Sequence, residues 1–288
     1  MNAEPVEQDP PVESDTSSFI DVMVVYTEAA RTAAGGESAI QSRIQLALAE
    51  SNLAYELSQV GTRLRLVYAG EIEYTQSGSF NTDLERLRAN GEGFMDSVHT
   101  LRDTHGADMV SLWINDSSSC GIAYLMTTLS AGFHNSAFSV VHYDCTTGYF
   151  SFAHELAHNM GCVHDRDNTS NQGLYPYSYG WRFEGWNGTT YRTIMAYAPG
   201  TRIQRFSNPD VTFAGTPTGV PVGQSNQSHN AQTINSSTAT VANFRQAILN
   251  SKSPEIIWQQ VRSQTVLTGE PVTFSVYVAG ASPISYQW

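Results

Sequence analysis

The feature that most constrains this chain is a histidine motif near its centre, FSFAHELAHNMGCVHD. His154 and His158 are four residues apart, so on an α-helix they share a face, and both imidazoles can reach one metal ion. Gly161 follows three residues later, where it can end the helix in a backbone conformation that other residues avoid. The turn that it permits lets His164 return as a third ligand. The segment therefore predicts a helix, a tight turn and a metal site.

The residue types in this motif indicate catalysis. Three neutral imidazoles leave zinc a fourth position, which is the arrangement of a catalytic rather than a structural site. Glu155 is adjacent to the first histidine and can act as a base on a zinc-bound water without being a ligand. The alternative is a metal site without catalysis, and Glu155 argues against it, because a structural site needs no carboxylate beside an open coordination position. We expect one catalytic Zn²⁺ ion.

Charge and hydropathy exclude other classes of function. The formal net charge is -12 and Lys252 is the only lysine, so a nucleic-acid backbone would meet net repulsion. No apolar run approaches the roughly 18 residues of a membrane span. We therefore expect no nucleic-acid partner and no membrane span. Separately, we expect a monomer whose partners are protein or peptide substrates.

Hydrophobic periodicity predicts a main domain over 19–249. A β-branched and aromatic run opens it as a strand, and a long amphipathic helix follows. Strands and helices then alternate, which favours an α/β (α+β) fold with helices covering a mixed sheet. The predicted strands are 19–26, 62–74, 107–113, 121–125 and 138–143; the predicted helices are 37–57, 84–102 with a break near Gly91 and Gly93, and 229–249; the stretch 168–228 is predicted to be mostly loop.

The two ends differ in character from the main domain. Residues 1–18 are acidic, contain prolines and lack the regions of a signal peptide, so they are interpreted as a linker, with any signal or pro-segment expected upstream. Residues 250–288 alternate like short strands and end at Trp288. This tail resembles the opening strands of a truncated bacterial immunoglobulin-like domain.

Three cysteines allow one disulfide and one spare thiol. Cys120, Cys145 and Cys162 permit three pairings, and sequence does not give connectivity. We favour Cys120 with Cys145. Cys162 is then a buried apolar thiol, although its pairing stays an open alternative.

A second motif follows the third histidine by about thirty residues, Tyr-Arg-Thr-Ile-Met-Ala-Tyr. Together with the histidines, Met195 resembles the methionine of the Met-turn in metzincin proteases, which forms the floor beneath the zinc. This resemblance implies the metzincin fold, which has a twisted mixed sheet, long helices, an active-site helix and a C-terminal helix. Tyr197 is similar to the tyrosine that astacins and serralysins use as an extra zinc ligand or oxyanion donor. Asp165 instead resembles the reprolysin pattern. A packed tyrosine without either role is the alternative for Tyr197.

Several segments in order resemble the bacterial peptidyl-Asp metallopeptidases: IDVMVVYTEAA, RDTHGADMVSLW, CGIAYL, SFAHELAHNMGCVHD, RTIMAY and FSNPDV. The resemblance covers about 19–248. It implies a secreted or cell-surface bacterial endopeptidase with His154, His158 and His164 on zinc, Glu155 as base, and cleavage on the amino side of aspartate. Ala157 stands where relatives commonly have glycine, a change that a helix tolerates.

The resemblance also suggests where a substrate binds. In metzincins an edge strand holds the substrate backbone, and the matching segment is Gly121, Ile122 and Ala123. An acidic side chain beside the cleaved bond needs a cation, for which the candidates are Arg192, Arg202 and Arg205. Structural calcium in the acidic loop 165–168 is a further hypothesis. The rival function is a cell-surface adhesion or binding protein with a vestigial zinc domain.

Overall fold

The computed structural model describes residues 19–248 and the backbone of 256–259 and 277–279. The predicted linker 1–18 and most of the predicted immunoglobulin-like segment 250–288 lie outside the described residues. The domain boundaries and the rival adhesion function, which depends on that segment, therefore stay predictions.

Within residues 19–248 the structure has sixteen α-helices and β-strands. The first eight are β1 (Phe19–Tyr26), α1 (Glu28–Ala34), α2 (Glu37–Leu57), β2 (Arg63–Glu71), α3 (Phe80–Arg88), α4 (Asp96–His105), β3 (Met109–Ile114) and β4 (Gly121–Ala123). The next eight are β5 (Phe138–His142), α5 (Ser151–Asn159), β6 (Arg182–Glu184), β7 (Thr190–Arg192), β8 (Thr201–Arg202), β9 (Thr212–Phe213), β10 (Thr216–Pro217) and α6 (Asn230–Val241). Two 3₁₀ helices precede and follow β5, at Ala131–Ser136 and Tyr143–Cys145. Beyond these residues, β11 (Ile256–Gln259) pairs antiparallel with β12 (Tyr277–Ala279).

A five-stranded sheet organises the domain in the order β2-β1-β3-β5-β4. The first four strands are parallel, and β4 runs antiparallel along β5 at the edge. The central strands β1 and β3 are buried along almost their whole length, as expected for parallel strands covered on both faces. The sheet therefore presents one short antiparallel edge, formed by β4.

Helices cover both faces of the sheet. On one face α2, α5 and α6 bury a cluster that includes Tyr55, Trp113, Phe152 and Ile234. On the other face α3 and α4 pack their apolar side chains against Phe138 and its neighbours. Helix α5, which carries His154 and His158, is thus part of the core, and this fixes its position relative to β4 and β5.

The predicted fold class is confirmed, with differences at the helix ends. The predicted break near Gly91 and Gly93 is present, with both glycines at positive φ, but the two helices that it separates, α3 and α4, extend beyond 84–102 to residues 80 and 105. Helix α1 was not predicted; it lies between an N-cap at Thr27 and a left-handed C-cap at Gly35. The last helix ends at Val241 rather than 249, because the chain turns so that the Arg245 backbone N–H donates to Asp108.

Two further findings concern the edge strand and the cysteines. Cys120, directly before β4, forms a disulfide with Cys145, which confirms the favoured pairing and ties the edge strand to the segment before α5. Cys162 is a buried free thiol. Within the described part of the chain, no helix is long and apolar enough to cross a membrane.

Candidate metal and catalytic site

Three imidazoles converge where α5 ends and the chain turns back. His154 and His158 lie one turn apart on α5, and Gly161, at φ +94°, allows the turn that returns the chain to His164. The Nε2 atoms of His154 and His158 each lie 3.1 Å from the Nε2 atom of His164. Within the ranges that the structure describes, these three residues form the only group of three or more His, Cys, Asp or Glu side chains able to hold one metal ion.

Backbone carbonyls fix which ring nitrogen faces the centre. His154 Nδ1 lies 2.9 Å from the Ile194 carbonyl, and His158 Nδ1 lies 2.8 Å from the Cys162 carbonyl. Because a carbonyl only accepts, each Nδ1 carries the proton and each Nε2 presents a lone pair. Burial lowers the pKa of all three histidines, that of His158 to about 3, so the imidazoles stay neutral.

This donor set fits zinc. Nitrogen ligands around a tetrahedral zinc ion lie about 3.3 Å apart, given Zn–N distances of about 2.0–2.1 Å, and the observed 3.1 Å is close to this separation. Lone pairs that face one another at this range repel unless a cation lies between them. His154, His158 and His164 are therefore the residues that would hold the ion.

Glu155 lies against the edge strand. The residue is 5% exposed, and burial raises its pKa to about 8, an effect that the positive charge of Arg202 partly offsets. A Cβ atom at Gly121 would lie 2.6 Å from Glu155 Oε1. Only a glycine lets β4 approach the carboxylate this closely, so the structure brings Gly121 and Glu155 together in one site.

Asp165 links the third histidine to the Met-turn segment. Its Oδ2 accepts the backbone N–H of Tyr197 at 2.9 Å, and its Oδ1 lies 3.0 Å from Arg182 Nη2. Asn168 donates to the same carboxylate. Because Asp165 is buried, these contacts hold the His164 loop and the segment after Met195 in register.

The segment around Met195 contacts the site through the neighbours of that methionine. Met195 is fully buried, and Ile194 supplies the carbonyl that orients His154. The Tyr197 ring centroid lies 4.2 Å from that of His164, and the residue is 42% exposed at the rim of the cleft. Burial and the nearby Glu155 carboxylate raise the pKa of Tyr197, so its hydroxyl keeps its proton.

A cleft of about 250 Å³ opens onto this centre. Its walls combine the edge strand, the active-site helix and the loop after the third histidine; they include Gly121, Ile122, Ala123, Leu125, Glu155, His158, His164, Thr169, Asn171 and Tyr197. All three predicted edge-strand residues therefore line the same cleft as Glu155.

The three candidate arginines occupy different surroundings. Arg192 and Arg202 are paired neighbours on β7 and β8, and both donate to the Ala196 carbonyl. Arg205 instead has its guanidinium carbon 5.0 Å from the centre of the Phe213 ring. The guanidinium groups of Arg192 and Arg202 thus lie at the Met-turn segment. Arg205 contacts that segment only through its backbone carbonyl, which accepts the Ile194 N–H, while its guanidinium lies against the β9–β10 hairpin.

Sequence reasoning missed several contributors. Asn159 donates to the carbonyls of Tyr124 and Phe138 and so fastens α5 to the sheet edge. A polar residue next to His158 on a largely apolar helix is the signal that could have found it. Nothing local indicates that Ile194 and Cys162 act through their carbonyls, because those contacts depend on the tertiary fold.

Comparison with known proteins gives a consistent result. Residues 16–207 match the model of Metallo-peptidase family M12. Proteins named peptidyl-Asp metalloendopeptidase are 41% identical in Stenotrophomonas maltophilia and 38% identical in Xanthomonas campestris, each over 81% of this chain, but the chain spans only 54% and 53% of their lengths. One of the same name from Pseudomonas fragi is 32% identical over 68% of this chain and is covered completely.

A solved structure shares the fold. It is described as a chaperone-substrate complex and aligns with a TM-score of 0.60 at 19% identity, over 79% of this chain and 39% of that one. At this level of identity the likeness concerns the fold alone.

Proposed function

Because this chain belongs to metallopeptidase family M12, together with the peptidyl-Asp metalloendopeptidases that it matches, we propose that it is a zinc-dependent endopeptidase. The observation that carries the proposal is the convergence of three oriented, neutral imidazoles beside a buried carboxylate in an open cleft. The chain spans about half the length of two of the curated relatives, so the activity is proposed for the described domain.

The chain's own residues supply binding, orientation and proton transfer. Bound by the three histidines, zinc would polarise the scissile carbonyl and acidify a water molecule. Glu155 takes the proton of the attacking water and passes it to the leaving amine. Burial raises the pKa of Glu155 in the metal-free protein, and a bound zinc cation would lower it again, so that the carboxylate is ionised and able to accept a proton.

Two further groups act on the substrate. The edge of β4 holds the peptide backbone by strand addition, since its pairing with β5 leaves its other side open to the cleft. The protonated Tyr197 hydroxyl at the rim donates to the developing oxyanion, a contact whose loss commonly costs about 100- to 1,000-fold in rate.

The substrate class follows from the relatives' names. We propose cleavage on the amino side of aspartate, in peptides or proteins, by an enzyme that is monomeric and secreted or held at a bacterial cell surface, with no nucleic-acid partner. Structural calcium at 165–168 stays a hypothesis; in the structure Asp165 and Asp167 both pair with Arg182, which compensates one of their two negative charges. Thermal unfolding with and without added calcium tests it.

Metal content and turnover together test the proposed activity. The wild-type protein should bind one zinc ion per chain and cleave an aspartate-containing peptide, and Glu155→Gln should keep the zinc but lose turnover. Cleavage by Glu155→Gln at the wild-type rate would refute the assignment of Glu155. A protein that takes up no zinc at micromolar metal would refute the metal site.

A further inference from the structure

Two adjacent arginines place positive charge beside the site without an anionic partner. Arg192 and Arg202 are paired across β7 and β8, and both are partly buried. Within residues 19–248, the ion pairs use other arginines, and no carboxylate oxygen lies within 4.0 Å of either guanidinium. This is unexpected in a chain with 27 acidic and 15 basic residues.

Such an arrangement is costly in the free protein. Burial and the neighbouring Arg192 lower the pKa of Arg202 to about 10, which means that its surroundings disfavour the cation. A partly buried charge is normally compensated by a counter-charge and hydrogen bonds. Glu155 acts on Arg202 only from beyond ion-pair distance, and no described carboxylate oxygen lies within 4.0 Å of its guanidinium. An external anion is therefore the direct partner that would relieve the cost.

Arg202 is also the arginine that lies between the catalytic elements. Its Nη1 donates to the Tyr149 carbonyl at 2.7 Å, two residues before α5 begins, and its Nη2 lies 3.5 Å from the Ala196 carbonyl, next to Tyr197. Its Nε–H is buried and has no hydrogen-bond partner. A buried donor without a partner, between the start of α5 and the Met-turn segment, is a group whose hydrogen bond a ligand would complete.

The two neighbouring arginines are less suited to this role. Arg192 has both its Nε and Nη1 atoms bound, at 2.8 Å each, to the carbonyls of Gly200 and Ala196. Arg205 also has an unpaired Nε, but its guanidinium faces Phe213. Glu155 and Tyr197 both influence the charge state of Arg202, whereas burial alone affects that of Arg205.

We propose that Arg202 is the specificity-determining residue, and that it binds the side-chain carboxylate of the substrate residue on the carboxyl side of the cleaved bond. Arg192 is a positioning residue, because its hydrogen bonds to the carbonyls of Ala196 and Gly200 hold the segment between β7 and β8 in place. This inference rests on the proposed preference for aspartate. It assigns that preference to one guanidinium, which can offer a carboxylate two charge-assisted hydrogen bonds.

Matched peptides measure the effect. Two quenched-fluorescent peptides should differ only in having Asp or Asn after the scissile bond, and the ratio of their kcat/KM values is the readout. For wild type the ratio should strongly favour Asp. In Arg202→Met it should fall about 10- to 100-fold, which corresponds to one charge-assisted hydrogen-bonded pair, with most of the loss on the Asp peptide. Arg202→Lys, which keeps the charge, should recover part of it.

Controls separate specificity from folding. Arg86→Met removes a partly buried arginine of α3 whose guanidinium lies over the Phe94 ring. Arg86 is not among the residues that line the cleft, so this variant should leave the ratio unchanged. Arg202→Gln retains a donor for the Tyr149 carbonyl and keeps the test valid if the methionine variant unfolds. Zinc content should stay at the wild-type level in each variant.

A binding measurement adds a readout that does not need turnover. In the zinc-loaded Glu155→Gln background, fluorescence anisotropy should show tighter binding of the Asp peptide than of the Asn peptide, and Arg202→Met should abolish that difference. If wild type prefers Asp and Arg202→Met keeps the full ratio, this inference alone is overturned. The same holds if the ratio is lost in Arg205→Met but not in Arg202→Met. Wild type without any Asp preference overturns both this inference and the proposed substrate.

Discussion

Replacing Gly121 by alanine tests the close approach between the edge strand and the catalytic carboxylate. The new Cβ would lie 2.6 Å from Oε1, 2.7 Å from Cγ and 2.8 Å from Cδ of Glu155. Ordinary contact begins at about 3.4 Å, so the carboxylate or the strand must move by roughly 0.8 Å. A misplacement of about 1 Å at a catalytic group commonly costs about 100-fold in rate. We therefore expect kcat to fall about 100-fold, with zinc content and melting temperature close to those of wild type.

Saturation kinetics on an aspartate peptide distinguish the two ways of relieving the clash. Displacement of Glu155 lowers kcat, whereas displacement of β4 weakens backbone pairing and raises KM. Gly132→Ala is the matched control, because its new Cβ would meet only Ser130 Oγ at 3.4 Å. If Gly121→Ala has wild-type kcat and KM, the close approach of Gly121 to Glu155 is refuted.

Three further predictions follow from buried charges and the cross-link. Asp165→Ala removes a buried carboxylate that pairs with Arg182 and accepts the Tyr197 N–H, so its free energy of unfolding in urea should fall by about 3 kcal/mol. Asp165→Asn should lose less. Equal stability of wild type and both variants would contradict the linking role of Asp165. In the metal-free protein the raised pKa of Glu155 means that the folded state keeps a proton that the unfolded state releases. Wild type should therefore lose up to about 1.4 kcal/mol per pH unit relative to Glu155→Gln as the pH rises from 4.5 to about 8, and a pH-independent difference would refute the shift. Replacing Cys120 and Cys145 by serine removes a cross-link that spans 25 residues and should lower the free energy of unfolding in urea by about 3 kcal/mol. An unchanged midpoint of urea unfolding would show that the disulfide does not constrain the unfolded chain.

Features with a local signal were predictable from the sequence. The β-branched run 19–26 and the amphipathic run 37–57 have the bounds of β1 and α2, because their periodicity matches the burial that the sheet imposes. The histidine spacing likewise places three imidazoles around one centre, since helix geometry and one positive-φ glycine are enough to determine it.

Features that depend on tertiary contacts were not predictable. Asp165 and Tyr197 each have a recognisable position in the sequence, but their hydrogen bond across 32 residues is seen only in the folded chain. The same holds for the two carbonyls that orient His154 and His158. Three arginines were equal candidates in the sequence, and strand pairing between β7 and β8 is what separates Arg202 and Arg192 from Arg205.

Cleavage of a mixed peptide library is the most direct test of the central claim. The library is incubated with the zinc-loaded protein, with the chelated protein, with chelated protein after zinc is restored, and with Glu155→Gln, and the residues flanking each cut are identified. We predict cuts on the amino side of aspartate that vanish with chelator, return with zinc and are absent with Glu155→Gln. Cleavage that resists chelation, or that Glu155→Gln performs as well as wild type, would contradict the assignment of this site as a zinc endopeptidase.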